Sequence, residues 1–278
     1  MRINGALSDP VCSSTGSPQG CVLSLSLFIL YTNMCRSQYG NRLILKYVDD
    51  SVVVSLLRGG ESSHGPVIDY FLRWCDDSYL QINGSKTKDM FIDFRRQAHS
   101  QEALTIKGQT IEQVTSYKYL GTVIDSTLNF DLNCEAVCKK GHQRLHCLRK
   151  LSSFNIDKTM MSLFYCAFIE SILTFSLASW FGNISLKNKN SLNKIVKWSG
   201  KLIGEPQPNM EALYTKQLQR LSKSVQNDST HPLNSAFQLL PSRQRLKVPK
   251  SRTNRYRNSF VPVAIIYTNK LLQRNLSA

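Results

Sequence analysis

The chain has 278 residues, 42% of them hydrophobic, with 35 Lys and Arg against 19 Asp and Glu for a formal charge of +16. That apolar share excludes a disordered chain and supports one large or two modest domains. The charge is uneven: residues 1–185 hold 18 basic and 16 acidic side chains, residues 186–278 hold 17 and 3, and a field of that sign attracts polyanions, nucleic acid foremost, unless it is only a solvated tail.

In chain order, residues 20–36 read as an apolar helix opened by Ser17, Pro18, Gln19 and Gly20. Residues 43–57, LILKYVDDSVVVSLL, are two β-branched runs separated by paired acids, which predicts a hairpin with the acids at its tip. Gly59, Gly60, Gly65 and Pro66 close that hairpin, and Val67, Ile68, Phe71, Leu72, Trp74 and Cys75 then fall at helical spacing. Strands are predicted at 90–94, 105–111 and 117–124, and helices at 133–150, 158–178 and 186–203. The breaker cluster GEPQPN follows, and residues 205–278, basic and polar with short apolar islands, are expected to be loosely ordered. The fold class is therefore α+β up to about residue 125, helical to about 204, and a basic tail beyond. Residues 160–184 are long enough to cross a bilayer, but they carry Glu170 and several Ser and Thr, so a buried helix or helix pair is expected and no membrane partner.

Tyr47-Val48-Asp49-Asp50 is the most informative string. Adjacent carboxylates repel unless solvated or cation-bound, and Mg²⁺ suits them because it prefers carboxylate oxygen and keeps positions for water and phosphate. An ordinary β-turn is the competing reading, since Asp is a favoured turn residue. Context decides between them. Gly16-Ser17-Pro18-Gln19-Gly20 precedes a helix, YVDD follows, Asn83-Gly84-Ser85-Lys86-Thr87-Lys88 comes next, and Tyr117-Lys118-Tyr119-Leu120-Gly121 comes last. This succession resembles the reverse transcriptases of non-LTR, LINE-type retroelements, whose GxPQG, F/YxDD, Asn-then-Lys and YxxLG motifs run in that order.

The resemblance implies a partial polymerase palm, a small antiparallel sheet with helices, over 1–125, an α-helical thumb over 126–204 and a basic C-terminal tail over 205–278. It implies Asp49 and Asp50 as catalytic ligands of Mg²⁺, and Lys86 near the triphosphate as electrostatic stabiliser or general acid. Ser17, Pro18, Gln19 and Gly20 would floor the template and nucleotide site, and Tyr117, Lys118, Tyr119, Leu120 and Gly121 would grip the primer. The partners would be an RNA template and a DNA primer or hybrid duplex.

Two-metal phosphoryl transfer needs acids from two segments. The family's upstream F-x-D-x-x-x-A-F-D strand has no counterpart in these residues, and Asp93 is a weak substitute because it follows YVDD. The motif after Gly20 also departs from the family, with Leu25-Ser26 where Pro-Leu is usual. The chain is thus expected to be a truncated reverse transcriptase, enzyme-derived but inactive alone. The alternative is a non-catalytic RNA- or DNA-binding remnant, with binding mainly through residues 186–278.

Cys134, Cys138, His142, His146 and Cys147 share one predicted helix, which cannot wrap four ligands around Zn²⁺; they are expected to be helix-face residues. Residues 133–165 also resemble a helical segment assigned to the N-terminus of an AlkB-type dioxygenase homologue. The oxygenase triad needs His-x-Asp/Glu, which follows none of His64, His99, His142, His146 or His231. Eight scattered cysteines and no basic-then-apolar leader point to an intracellular chain, nuclear or cytoplasmic, without disulfides.

Overall fold

The structure, a computed structural model, describes residues 2–3, 6–7, 21–57, 64–94 and 103–276. It is α+β and forms two compact units, Met1–Asp89 with Gln97–Gln113, and Met90–Arg96 with Val114–Ala278.

The first unit begins with the short pair β1 (Arg2–Ile3) and β2 (Ala6–Leu7), then α1 (Val22–Thr32). The hairpin β3 (Arg42–Tyr47) and β4 (Asp50–Ser55) follows, then α2 (Gly65–Asp77). Pro66 suits the first turn of α2, where no backbone N–H is needed, and Val67 and Cys75 turn inward. The unit is completed by β5 (Lys88–Asp89), paired in parallel with β8 (Glu112–Gln113), and by the hairpin β6 (Thr105–Ile106) and β7 (Gln109–Thr110). Its apolar core is thin, consisting among the described residues of Cys35, Val67, Cys75, Ile106 and Ile111. Helix α1 is apolar around its whole circumference yet buries only Thr32, leaving Val22, Leu23, Leu25, Leu27, Ile29 and Leu30 exposed.

The second unit opens with the hairpin β9 (Ser116–Tyr119) and β10 (Thr122–Asp125). Helices α3 (Asp131–Ser153) and α4 (Lys158–Phe164) follow, and α4 runs through a π-helical stretch (Tyr165–Glu170) into α5 (Ser171–Leu173). After α6 (Leu177–Trp180) come α7 (Leu186–Ile203), α8 (Met210–Asn227), α9 (Asn254–Arg257) and α10 (Phe260–Leu276). Helix α7 has the predicted bounds because both ends are encoded: the Ser185 side chain accepts from the Asn188 N–H, and Gly204 closes the helix in the left-handed region.

The core of this unit joins Leu145 and Leu148 of α3, Tyr165, Ile169 and Leu173, Leu177 and Trp180, Leu192, Ile195 and Ile203 of α7, and Met210 of α8. Each such fully buried side chain stabilises by about 1.5–3 kcal/mol. Among the described residues Lys158–Trp180 is long and apolar enough to cross a membrane; Tyr165, Ile169, Leu173, Leu177 and Trp180 within it lie in this core, while Leu163, Phe168 and Phe175 are exposed.

Three expectations are corrected. The basic segment 205–278 is not loosely ordered: α8 and α10 pack together, and Leu218, Val225, Phe237, Leu246, Ala264 and Ile265 form a second apolar cluster with Ala178. Segment 90–94 is not a strand. No described strand pairs with it, and β-propensity without a partner does not hold a strand; the Phe94 ring lies instead under the Arg255 guanidinium, 3.7 Å from its centroid. The strands also form no single sheet, pairing among the described residues in five separate two-stranded ladders.

Candidate functional site

In the β3–β4 hairpin Tyr47 pairs with Asp50, leaving Val48 and Asp49 as a two-residue loop. Pairing places Leu43, Leu45 and Tyr47 on one face with Val54, Val52 and Asp50, and Leu43, Leu45, Tyr47 and Val54 are exposed there. The opposite face is anchored: Arg42 lies over the Tyr39 ring, and the Lys46 ammonium donates to the Thr32 carbonyl of α1 and lies 5.9 Å from the Trp74 ring centroid of α2. Burial holds the pKa of that ammonium below its ordinary value, against the opposing pull of the Cys35 thiol.

Val48 has φ +56°, a left-handed conformation that costs a β-branched residue about 1–3 kcal/mol. The hairpin register fixes this turn, and the outcome is two neighbouring carboxylates, Asp49 and Asp50, both exposed. Their hard oxygens fit one Mg²⁺ held jointly with phosphate oxygens and water. Among the described residues no group of three or more His, Cys, Asp or Glu is arranged to hold a metal. Cys134 is buried in α3 against Cys138 while His142, His146 and Cys147 are exposed, and among the described residues they form no group arranged to hold a metal.

Lys86 is exposed in the same unit, on a turn that Asn83 organises: its side-chain oxygen accepts from the Lys86 N–H at 3.1 Å and from Ser85 Oγ at 2.7 Å, and its carbonyl accepts from the Thr87 N–H at 3.0 Å. Ser17, Pro18, Gln19 and Gly20 lie outside the described residues.

Tyr117, Lys118, Tyr119, Leu120 and Gly121 belong to the second unit. Tyr119 pairs with Thr122, so Leu120 and Gly121 form a two-residue turn with both φ positive, +44° and +89°, the turn whose twist matches a hairpin and which favours Gly. A Cβ on Gly121 would also press to 3.1 Å from the Phe175 ring. Tyr117, Lys118 and Leu120 are exposed.

Asp125, at the foot of this hairpin, is a residue that the sequence reading missed. Its carboxylate accepts from the N–H groups of Thr127 at 3.0 Å, Phe130 at 2.9 Å and Asn129 at 3.4 Å, and from the Thr127 hydroxyl. Burial alone would raise its pKa, but these bonds outweigh burial and hold it below the usual carboxylate range. The signal was present as Asp-x-Thr, the pattern of a side chain bonding its own turn. We expect Asp125→Ala to cost about 2–3 kcal/mol in urea unfolding at pH 7. Because the folded-state value is lowered, the wild-type advantage should be complete above the unfolded value near 3.8 and fade as pH falls through the folded one.

The comparisons with known proteins bear on this arrangement. Residues 1–124 match the family described as Reverse transcriptase (RNA-dependent DNA polymerase). The chain is 23% identical over 207 residues to "Probable RNA-directed DNA polymerase from transposon BS" of Drosophila melanogaster, covering 70% of this chain and 22% of that protein. It is 26% identical over 140 residues to "RNA-directed DNA polymerase from mobile element jockey" of the same fly, 47% of this chain and 15% of that protein. The X-element polymerase of that fly gives 26% over 137 residues, with the same 47% and 15%. The chain is similar to the reverse transcriptases of non-LTR, LINE-type elements. It spans about a fifth or less of the length of these curated relatives. Residues 130–171 also match the family described as Alkylated DNA repair protein alkB homolog 8, N-terminal; in the structure they are α3, α4 and the π-helical stretch. No solved structure matches.

Proposed function

We propose that the chain is a reverse transcriptase segment that carries the carboxylate hairpin of a nucleotidyl-transfer site and holds an RNA template with a DNA primer or hybrid duplex. The observation that carries this reading is the β3–β4 tip, which presents Asp49 and Asp50 side by side in solvent. Asp49 and Asp50 would hold Mg²⁺, whose chemistry when bound is to neutralise charge on phosphoryl oxygens. Lys86 would stabilise the leaving pyrophosphate, residues 17–20 would floor the template and nucleotide, and residues 117–121 would seat the primer end. In these terms 1–125 is palm-like, 126–204 thumb-like, and 205–278 a basic C-terminal part packed on the thumb-like helices.

The alternative, nucleic-acid binding without catalysis, is favoured by the 17 basic and 3 acidic side chains in residues 186–278. Both readings require the chain to bind a labelled RNA–DNA hybrid with affinity that falls steeply with salt. Neutralising the exposed Lys187, Lys216, Arg220 and Lys223 to Gln should weaken binding and flatten the salt dependence; these changes spare the core, which deleting 205–278 would tear open at Met210 and Leu213. No binding to the hybrid, or binding indifferent to salt, would refute the proposal.

A further inference from the structure

Helix α7, LKNKNSLNKIVKWSGKLI, contains five lysines, a tryptophan and no acid. Leu192, Ile195, Val196, Ser199, Gly200 and Ile203 turn into the core. The opposite side therefore presents Lys187, Lys194, Lys197, Trp198 and Lys201, all exposed and three, four or seven residues apart from position 194 onward. Trp198 is 49% exposed although an indole is costly to leave in water, and the Lys201 ammonium lies 4.9 Å from its ring centroid. Lys197 and Lys201 also line a cavity of about 600 Å³ between α7 and the turn leading into α8, together with Val196, Pro206 and Glu205; the Asn193, Gln207 and Asn209 amides there are engaged with the α8 end and its turn.

We propose that this face binds single-stranded nucleic acid, with one base stacked on Trp198, the lysines along the phosphates, and the neighbouring base entering the cavity. Chemical match singles out this ligand. Four ammonium groups on one exposed stripe complement a polyanion, and an acidic peptide would supply the charge but no flat partner for the indole. Base-on-aromatic stacking is tolerant of sequence because every base offers a π face. A duplex keeps its bases stacked internally, so the preference should be for an unpaired strand. The inference rests on the proposed nucleic-acid function and assigns it a surface outside the carboxylate hairpin.

The test is fluorescence anisotropy of the full chain with a labelled oligo(U), with an abasic oligonucleotide of equal length, and with an RNA–DNA hybrid. Trp198→Ala should weaken oligo(U) binding roughly tenfold or more and leave abasic and hybrid binding unchanged, while Trp198→Phe retains most of the affinity. Lys197→Gln with Lys201→Gln should weaken oligo(U) and abasic binding alike and reduce the salt slope by about 1.4, since each phosphate no longer neutralised on a single strand lowers it by about 0.7. Equal oligo(U) affinity in wild type and Trp198→Ala overturns the proposal, as does an equal loss for the abasic strand. If the hybrid still binds in either case, the nucleic-acid reading of the chain survives; if the wild type binds none of the three, both fall.

Discussion

The 278-residue chain, supplied with an annealed poly(A)/oligo(dT) substrate, dTTP and Mg²⁺ or Mn²⁺, should extend no primer above background. Phosphoryl transfer by two metals uses ions about 4 Å apart, clamped by carboxylates that bridge them. Here Asp49 and Asp50 are neighbours on one hairpin, and no described group adds the third acid. One ion would lack a protein carboxylate where negative charge develops on phosphorus, usually among the largest contributions to such catalysis. Extension by the chain alone that disappears in Asp49→Ala would show that another acid completes the site, Asp93 being the first to test.

Gly182→Val should strongly destabilise the second unit. A Cβ at this position would run into the Asn258 carbonyl, and it would also come to 3.1 Å from the Tyr214 hydroxyl. The first obstacle is backbone, so it cannot rotate away. Relief requires the segment around α9 to lift, and with it the α8–α10 cluster of Leu218, Phe237, Ala264 and Ile265. A loss of about 2–4 kcal/mol in urea unfolding is expected, with the exposed Ser179→Ala nearly neutral as the control. A neutral Gly182→Val would mean that residues 254–276 do not pack on the helices.

The contrast between these two regions shows what the sequence could reveal. The carboxylate hairpin was legible because β-branched runs flank Asp49 and Asp50 closely, so pairing and turn are both local. Helix α7 was legible to its ends because Ser185 and Gly204 mark them chemically. The order of the C-terminal part was not, because Leu218, Phe237, Leu246 and Ile265 are dispersed among lysines and arginines and become a core only when α8 and α10 meet. Segment 90–94 failed as a strand for the converse reason: its composition suits a strand, but no described neighbour pairs with it. Of the candidate site, Asp49 and Lys86 sit in turns, Asp50 opens β4, and residues 117–121 make up most of β9 and its turn. Asp125 escaped notice because its role is to hold a turn together and not to present itself.

Metal binding by the carboxylates of the β3–β4 tip, on which the functional reading turns, is tested most directly without requiring turnover. Fe²⁺ with hydrogen peroxide, recycled by ascorbate, generates short-lived hydroxyl radicals that cut backbone beside the bound ion. In the presence of RNA–DNA hybrid and dTTP, cleavage should concentrate at residues 47–51, be suppressed by excess Mg²⁺, and vanish in Asp49→Ala and Asp50→Ala. Cleavage elsewhere in the chain, or cleavage at the tip that survives loss of both carboxylates, would contradict it.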